Sequence, residues 1–383
     1  MSKKLYTGFE QGPIRPPSEA DSLLLRLTRN CPWNRCTFCP VYKNTRFSPR
    51  PVGHILQDLD QIARHLKALK DYNKIYGRIG YPDLDRLSRS LSDQEQLAFY
   101  ATYSWFESGM KSIFLQDADS LVLKPDVIIQ VLDKIRELFP EVRRITSYAR
   151  SHTLDRIPLE ILENMASAGL NRIHIGLESG SDKVLKRVWK GADQAMHIRA
   201  GLKVKHAGME LSEYVMPGLG GKELSREHAI ETAKTLNCIN PDFIRLRTLA
   251  IPHAVPLYSD WEKGVFVQLN DVEVAEEVYL FLDHLDQVTS SLHSDHILNL
   301  LQDVAGTLPQ ERQKMKDRIS YFLNLPAGEQ MYYQVGRRLG VFSSLDELDN
   351  EEKREKVLSA IEYYGINPQN VDEVIDQMMR RFI

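Results

Sequence analysis

The sequence predicts an α/β fold, a partial (β/α)6 TIM-like barrel followed by a C-terminal α-helical domain. Three observations carry that expectation. Short apolar runs are each followed by an amphipathic helical pattern, the unit recurs six times without an obvious sequence repeat, and the alternation stops beyond Trp261. Strands separated by helices pair in parallel through right-handed crossovers, so six such units build an open six-stranded barrel.

Taken in order, the strands fall at 23–27, 112–116, 144–148, 172–177, 211–216 and 243–249. Helical patterns occupy 52–69, 125–138, 159–168, 181–206 with a break near Gly191, and 225–236. Residues 1–20 read as a lead-in and 21–260 as the barrel, with an insertion at about 74–109 that has helical character at 93–106. Residues 261–383 read as a helical domain closing the barrel, its helices broken at Pro309, Pro326, Gly340 and Gly365. Within it, His293-Ser294-Asp295-His296 precedes the apolar run 297–301. Either Ser294 or Asp295 caps a helix there, or His293 and His296 reach the barrel mouth as catalytic acid–base or substrate-orienting groups.

A chain of 383 residues can bury one large α/β domain plus a smaller appendage. Its net charge of −3 argues against a strongly basic nucleic-acid binder. No apolar stretch approaches the ~20 residues that span a bilayer, which argues against a membrane protein. The opening MSKKLYTGFEQGPIRPPSEA lacks a signal-peptide core, so a cytoplasmic protein with reduced thiols is expected.

Three of the four cysteines lie within nine residues, Cys31-Pro-Trp-Asn-Arg-Cys36-Thr-Phe-Cys39, just after the first strand. One loop can turn all three sulfurs toward one point. Structural zinc closes its tetrahedron with four protein ligands, and cubane clusters usually take four cysteines. Three thiolates therefore read as a metal site with one position left for a substrate or cofactor. Buried apolar cysteines, and zinc completed by His54, are the alternatives. Cys238 has no local partner and reads as structural.

Barrel chemistry gathers at the C-terminal ends of the strands, and polar groups cluster there. The second strand runs into Gln116-Asp117-Ala118-Asp119-Ser120, where an aspartate either meets a ligand or caps the next helix. The third ends Ser147-Tyr148-Ala149-Arg150, and Arg150 either pairs with a carboxylate or is a surface cation. Arg245 and Arg247 share one face of the sixth strand, pointing either inward to substrate carboxylates or outward to solvent.

The cysteine loop resembles that of the radical SAM superfamily, although the first gap here is four residues where three is commonest. HIGLESGSDKVLKRVWKG, residues 174–191, resembles the GLESGSD-x-V-L-K segment of its Elongator-catalytic-subunit, coproporphyrinogen-dehydrogenase and methylthiotransferase types. The resemblance covers roughly residues 20–260. It implies a [4Fe–4S] cluster on Cys31, Cys36 and Cys39, with the unique iron chelated by S-adenosylmethionine. It places Phe38 near the adenine, and Glu178 at the ribose or methionyl end. Lys190 is placed at the cofactor carboxylate, with a solvated helix charge as its alternative. The glycine-glycine-glutamate common after the second strand is absent, which leaves Asp117 or Asp119 for the cofactor ammonium. Ser147, Arg150 and Met216, at the ends of the third and fifth strands, join the implied cofactor site. The implied reaction is reductive cleavage of S-adenosylmethionine to a 5′-deoxyadenosyl radical that takes hydrogen from a small organic metabolite or cofactor precursor. Its partners would be that small-molecule substrate and an electron donor such as flavodoxin or ferredoxin. Modification of tRNA or another macromolecule is the alternative reaction, and a non-enzymatic iron–sulfur or zinc carrier or sensor is the alternative of another class.

Overall fold

All six apolar runs form strands, and burial is the reason. They are β1 (Leu23–Arg26), β4 (Ser112–Gln116), β5 (Arg144–Tyr148), β6 (Arg172–Glu178), β7 (Glu210–Val215) and β8 (Phe243–Leu246). The two-residue β2 (Thr28–Arg29) and β3 (Ser48–Pro49) pair antiparallel beside them. Every residue of β4 is buried, the pattern of a parallel strand covered on both faces. The computed structural model describes residues 5–380.

The chain gathers into two compact units. The first holds residues up to Asn34, 44–174 and 203–210; the second holds 35–43, 175–202 and 211–383.

In the first unit β1, β4, β5 and the start of β6 are parallel neighbours, with Leu23 opposite Ile113, Ser112 opposite Arg144 and Thr146 opposite Arg172. Helix Val52–Tyr76 buries Ile55, Leu59, Ile62, Leu66 and Leu69, the three-to-four spacing of one apolar face. Pro125–Leu138 does the same with Ile128, Val131, Leu132 and Ile135. The insertion contains the expected helix, at Asp93–Glu107, and a second at Tyr81–Ser88. The lead-in is tied down by polar anchors. Tyr6 donates to Asp58 at 2.6 Å, Glu10 accepts from Arg29 at 2.6 and 2.8 Å, and the Gln116 amide grips Gly12 and Ile14.

In the second unit β7 and β8 are parallel, with Glu213 opposite Ile244. The chain beyond Trp261 departs here from the all-helical expectation. β9 (Ser291–His293) pairs parallel to β8, and β10 (Gly306–Thr307) pairs antiparallel to β9. His293 is thus a strand residue, and the run 297–301 is a loop, not a helix capped by Ser294 or Asp295. The physical cause is Asn299. Its side chain accepts from the Thr248 backbone N–H at 2.8 Å and donates to the Leu246 carbonyl at 2.8 Å, holding the loop on the end of β8. The rest of the region is helical, including Asp271–His284, Arg312–Leu323, Ala327–Arg338, Glu351–Tyr363 and Val371–Arg380. These helices share one apolar core with Val215, Ile244 and helix Gly221–Ile239, running without interruption to Met379. Among the described residues no helix is long and apolar enough to cross a membrane.

Candidate active site

In the first unit the loop carrying Cys31 is braced by an aspartate. Asp117, fully buried, accepts from the Asn30 backbone N–H at 3.0 Å and from Arg26 Nε at 2.9 Å. Asn30 has φ 68°, a left-handed turn that asparagine tolerates, and its side chain donates to the Arg46 carbonyl at 2.7 Å. Asp119, also fully buried, accepts from the Thr153 hydroxyl at 2.6 Å and from the Arg150 backbone N–H at 3.4 Å. Burial pushes its carboxyl up to about 6, against these hydrogen bonds and the Arg150 charge. The Arg150 guanidinium lies over the Trp33 ring, 5.0 Å from its centre. Ser147 is buried, its hydroxyl donating to the Tyr148 carbonyl at 3.0 Å.

In the second unit Cys36 and Cys39, half-buried, pack with Phe38 against Val184, Val188, Met216, Leu219 and Leu249. Backbone bonds hold this short segment: Thr37 N–H to the Val188 carbonyl at 3.0 Å, and Leu257 N–H to the Thr37 carbonyl at 3.0 Å. A pocket opens beside Cys39, lined by Phe38, Met216, Arg247, Leu249, Ala250 and Leu298 among others.

Glu178 ends β6 at φ 63°, a left-handed conformation unusual for a residue with a Cβ and a recurrent mark of functional positions. Its Oε1 accepts from Lys190 Nζ at 3.0 Å. Gly176 makes room for the pair, since a Cβ there would stand 2.3 Å from Glu178 Oε1 and 3.0 Å from Lys190 Nζ. Glu213, in the middle of β7, is fully buried, and neither carboxylate oxygen has a hydrogen-bond partner among the described residues. Burial drives its carboxyl well above the usual range, Lys190 opposing and Glu178 reinforcing the shift. Next to Glu178, Ser179 is bonded at 2.8 Å to His228 Nδ1, and His228 Nε2 bonds the Met216 carbonyl at 3.1 Å. That imidazole links the end of β6 to the end of β7.

Neither Glu213 nor His228 is among the residues that the sequence alone singles out. An acid inside the apolar strand pattern 211–216 is the available signal for the first; a histidine in an ordinary helical pattern offers none. His293 Nε2 lies 3.1 Å from Ser291 Oγ, and its ring faces Phe243. His296 sits on the loop after β9, its Nδ1 accepting from the Leu298 N–H at 3.2 Å.

The Radical SAM superfamily model matches residues 25–236, more than half of the chain. The chain belongs to the radical SAM superfamily. Among its relatives is a tRNA uridine(34) acetyltransferase of Methanocaldococcus infernus, 20% identical over 250 residues, covering 65% of this chain and 46% of that protein. Another is a tRNA-2-methylthio-N(6)-dimethylallyladenosine synthase of Christiangramia forsetii, 25% identical over 179 residues, covering 46% of this chain and 32% of that protein. This radical SAM chain thus spans less than half the length of these curated relatives. Among solved structures it is similar to the cobalamin-dependent S-adenosylmethionine radical enzyme OxsB, with TM-score 0.45 and 14% identity, covering 94% of this chain and 54% of that one.

As a radical SAM enzyme the protein uses a [4Fe–4S] cluster and S-adenosylmethionine. The donor set fits them. Cys31, Cys36 and Cys39 are in no disulfide and are half-buried, so open to a ligand, and thiolates are the ligands of such clusters. Among the described residues no three His, Cys, Asp or Glu side chains stand gathered for a metal, so the fit rests on donor chemistry and not on a preformed cage.

Proposed function

We propose that Cys31, Cys36 and Cys39 hold the cluster and that the chain acts on a small organic metabolite or cofactor precursor. The observation that carries the small-molecule reading is the lining of the pocket beside Cys39, mostly apolar side chains with one charged group, Arg247, the make-up of small-molecule sites. When bound, the cluster and S-adenosylmethionine supply reductive carbon–sulfur cleavage and a radical able to take hydrogen from an unactivated carbon. The chain's own residues bind, orient and exclude water.

Phe38 and Met216 offer apolar surface for the adenine, and Glu178 a hydrogen-bond acceptor for ribose or ammonium. Lys190, paired with Glu178 at 3.0 Å, meets the cofactor carboxylate. By the family resemblance, Asp117, Asp119, Ser147 and Arg150 belong to the cofactor-binding set. His293 and His296 act as acid–base or orienting groups toward substrate, carried by the helical region 261–383 that selects it. An external one-electron donor such as flavodoxin or ferredoxin completes the requirement.

A second reading, modification of tRNA, is favoured by the two relatives named for tRNA. They leave the expectation against nucleic acid, drawn from net charge, without support.

Anaerobic reconstitution tests the assignment. The expected result is one cluster whose electron paramagnetic resonance changes on adding S-adenosylmethionine. Alanine at any of the three cysteines should remove that signal and 5′-deoxyadenosine formation while far-ultraviolet dichroism stays unchanged. Stoichiometric zinc without iron would overturn it. Comparing 5′-deoxyadenosine formation with a small-metabolite fraction and with purified tRNA separates the two substrate classes.

A further inference from the structure

Two arginines stand two residues apart on and just beyond β8, and their surroundings differ. Arg245 is used up: Nε donates to Ser212 Oγ at 3.3 Å, Asp295 lies 3.6 Å away, and the guanidinium covers the Phe243 ring. Arg247 is half-buried in the wall of the Cys39 pocket. Its backbone is fixed, with N–H donating to the Val215 carbonyl at 2.9 Å. Among the described residues its guanidinium makes no hydrogen bond, ion pair or ring contact. Withdrawing a charge from water without a partner costs stability, so a partly buried, uncommitted guanidinium in a pocket wall is a group waiting for an anion. Its planar fork suits a carboxylate or phosphate bidentately.

The loop after β9 supplies a second donor, His296, near enough to Arg247 to feel its charge. His296 Nδ1 accepts from the Leu298 N–H, so the neutral ring carries its proton on Nε2. Burial, aided by the Arg247 charge, holds this imidazole down to about 4, which keeps it neutral beside the arginine. Of the other lining residues, Thr248 spends its hydroxyl on Asn299, Phe38 and Met216 are the surface assigned above to the adenine, and Pro40, Val41, Leu249, Ala250 and Leu298 are apolar. The pocket therefore offers one polar corner and an otherwise greasy wall.

We propose that Arg247, assisted by His296, recognises an oxyanion, carboxylate or phosphate, on an otherwise apolar small substrate. The proposal rests on the radical SAM reading of the site and adds the substrate's chemical class to it. A carboxylate could also come from the methionyl group of the cofactor, and the test separates the two sources.

Full-length, anaerobically reconstituted enzyme, saturated with S-adenosylmethionine, is titrated with inorganic phosphate and, separately, with succinate. Chloride at matched ionic strength is the control, and thermal unfolding is the readout. The expected result is a saturable rise in midpoint with one or both oxyanions. Arg247→Gln should weaken that apparent affinity by at least about tenfold, as loss of a charge-assisted bidentate contact implies, while S-adenosylmethionine affinity changes less than about twofold. Arg247→Lys, which keeps the charge and loses the fork, should fall between, and it carries the test if the glutamine variant does not fold. No saturable response to either oxyanion, or an equal response in the variants, overturns the proposal. So does a comparable loss of S-adenosylmethionine affinity, which would assign the guanidinium to the cofactor. The resonance change on adding S-adenosylmethionine, recorded on the same samples, keeps the two ideas apart. Its absence removes the radical SAM assignment of the cysteines, whereas its presence without an oxyanion response removes only the anion site.

Discussion

β4 in the first unit and β6–β7 in the second each place acidic side chains at or near the strand, and the acids differ in what surrounds them. Asp117 is met by Arg26 and the Asn30 N–H, and Asp119 by the Thr153 hydroxyl and the Arg150 N–H. Their oxygens are occupied by the protein itself, and the loop before Cys31 hangs from one of them. Glu178 meets Lys190 through one oxygen, from a left-handed backbone, and Glu213 keeps a buried carboxyl with no partner among the described residues. Residue type and strand-end position do not separate a brace from a ligand-facing acid. What differs between the two pairs is hydrogen-bond occupancy.

The largest test of that contrast is a chain ending at Ser259. The first unit keeps all its residues, whereas the second loses the helices that complete a core running from Leu177 to Met379. The expected outcome is no cooperative unfolding transition for the second unit, because the loss exceeds the about 5–15 kcal/mol by which a domain is stable. A sharp transition retained in both units would show that the C-terminal helices are dispensable.

Next comes a paired substitution. Asp117→Ala strips Arg26 of its nearest carboxylate, 2.8 Å away, and should cost about 3–5 kcal/mol in urea unfolding, as breaking a buried ion pair does. Glu178→Ala should leave unfolding within about 1 kcal/mol yet weaken S-adenosylmethionine binding by roughly ten- to hundredfold, the loss of a hydrogen bond to a charged group. If the two variants exchange phenotypes, occupancy is the wrong discriminator.

The smallest effect is in pH dependence, where the units should have opposite slopes. Asp119 holds its proton up to about 6 in the folded chain against the ordinary 3.8. The folded state then binds more protons between those values, and stability falls as pH rises through them. His296 is held down to about 4 against the ordinary 6.5. The unfolded state then binds more protons in that interval, and stability falls as pH drops through it. Asp119→Asn should remove the first slope and His296→Gln the second, each by about 1–3 kcal/mol over the window. Slopes of the same sign in the two variants would contradict the burial of one of them.

The strands were legible because each is an apolar run with helical periodicity on either side, a pattern that parallel pairing produces wherever both faces are covered. β4 and β5 match their expected bounds, and helix Pro125–Leu138 does too. β9 was not legible. It is three residues long, two of them polar, and its pairing with β8 is a long-range fact that no local pattern encodes. The loop at 297–301 misled for a related reason: four apolar residues around Asn299 look like helix, and only the asparagine's grip on Thr248 and Leu246 prevents it. At the site, Glu178 and Lys190 were found through a motif and lie together in the structure. Arg245 and Arg247 could not be told apart by spacing, since what distinguishes them is the presence of Ser212 and Asp295 beside one and not the other.

Helix Ala327–Arg338 reaches the same loop by another route. Arg337 Nε donates to the Leu300 carbonyl at 2.9 Å, and Arg338, paired with Asp271 at 2.5 Å, donates to the Leu298 carbonyl at 2.9 Å. Those grips are on the main chain and do not depend on which side chains the held residues carry. His296 and Leu298 can therefore be exchanged without releasing the segment that bears them. The fold has, in effect, separated the holding of this loop from the identity of its side chains, so that letters at 296 and 298 can change while the anchorage stays the same.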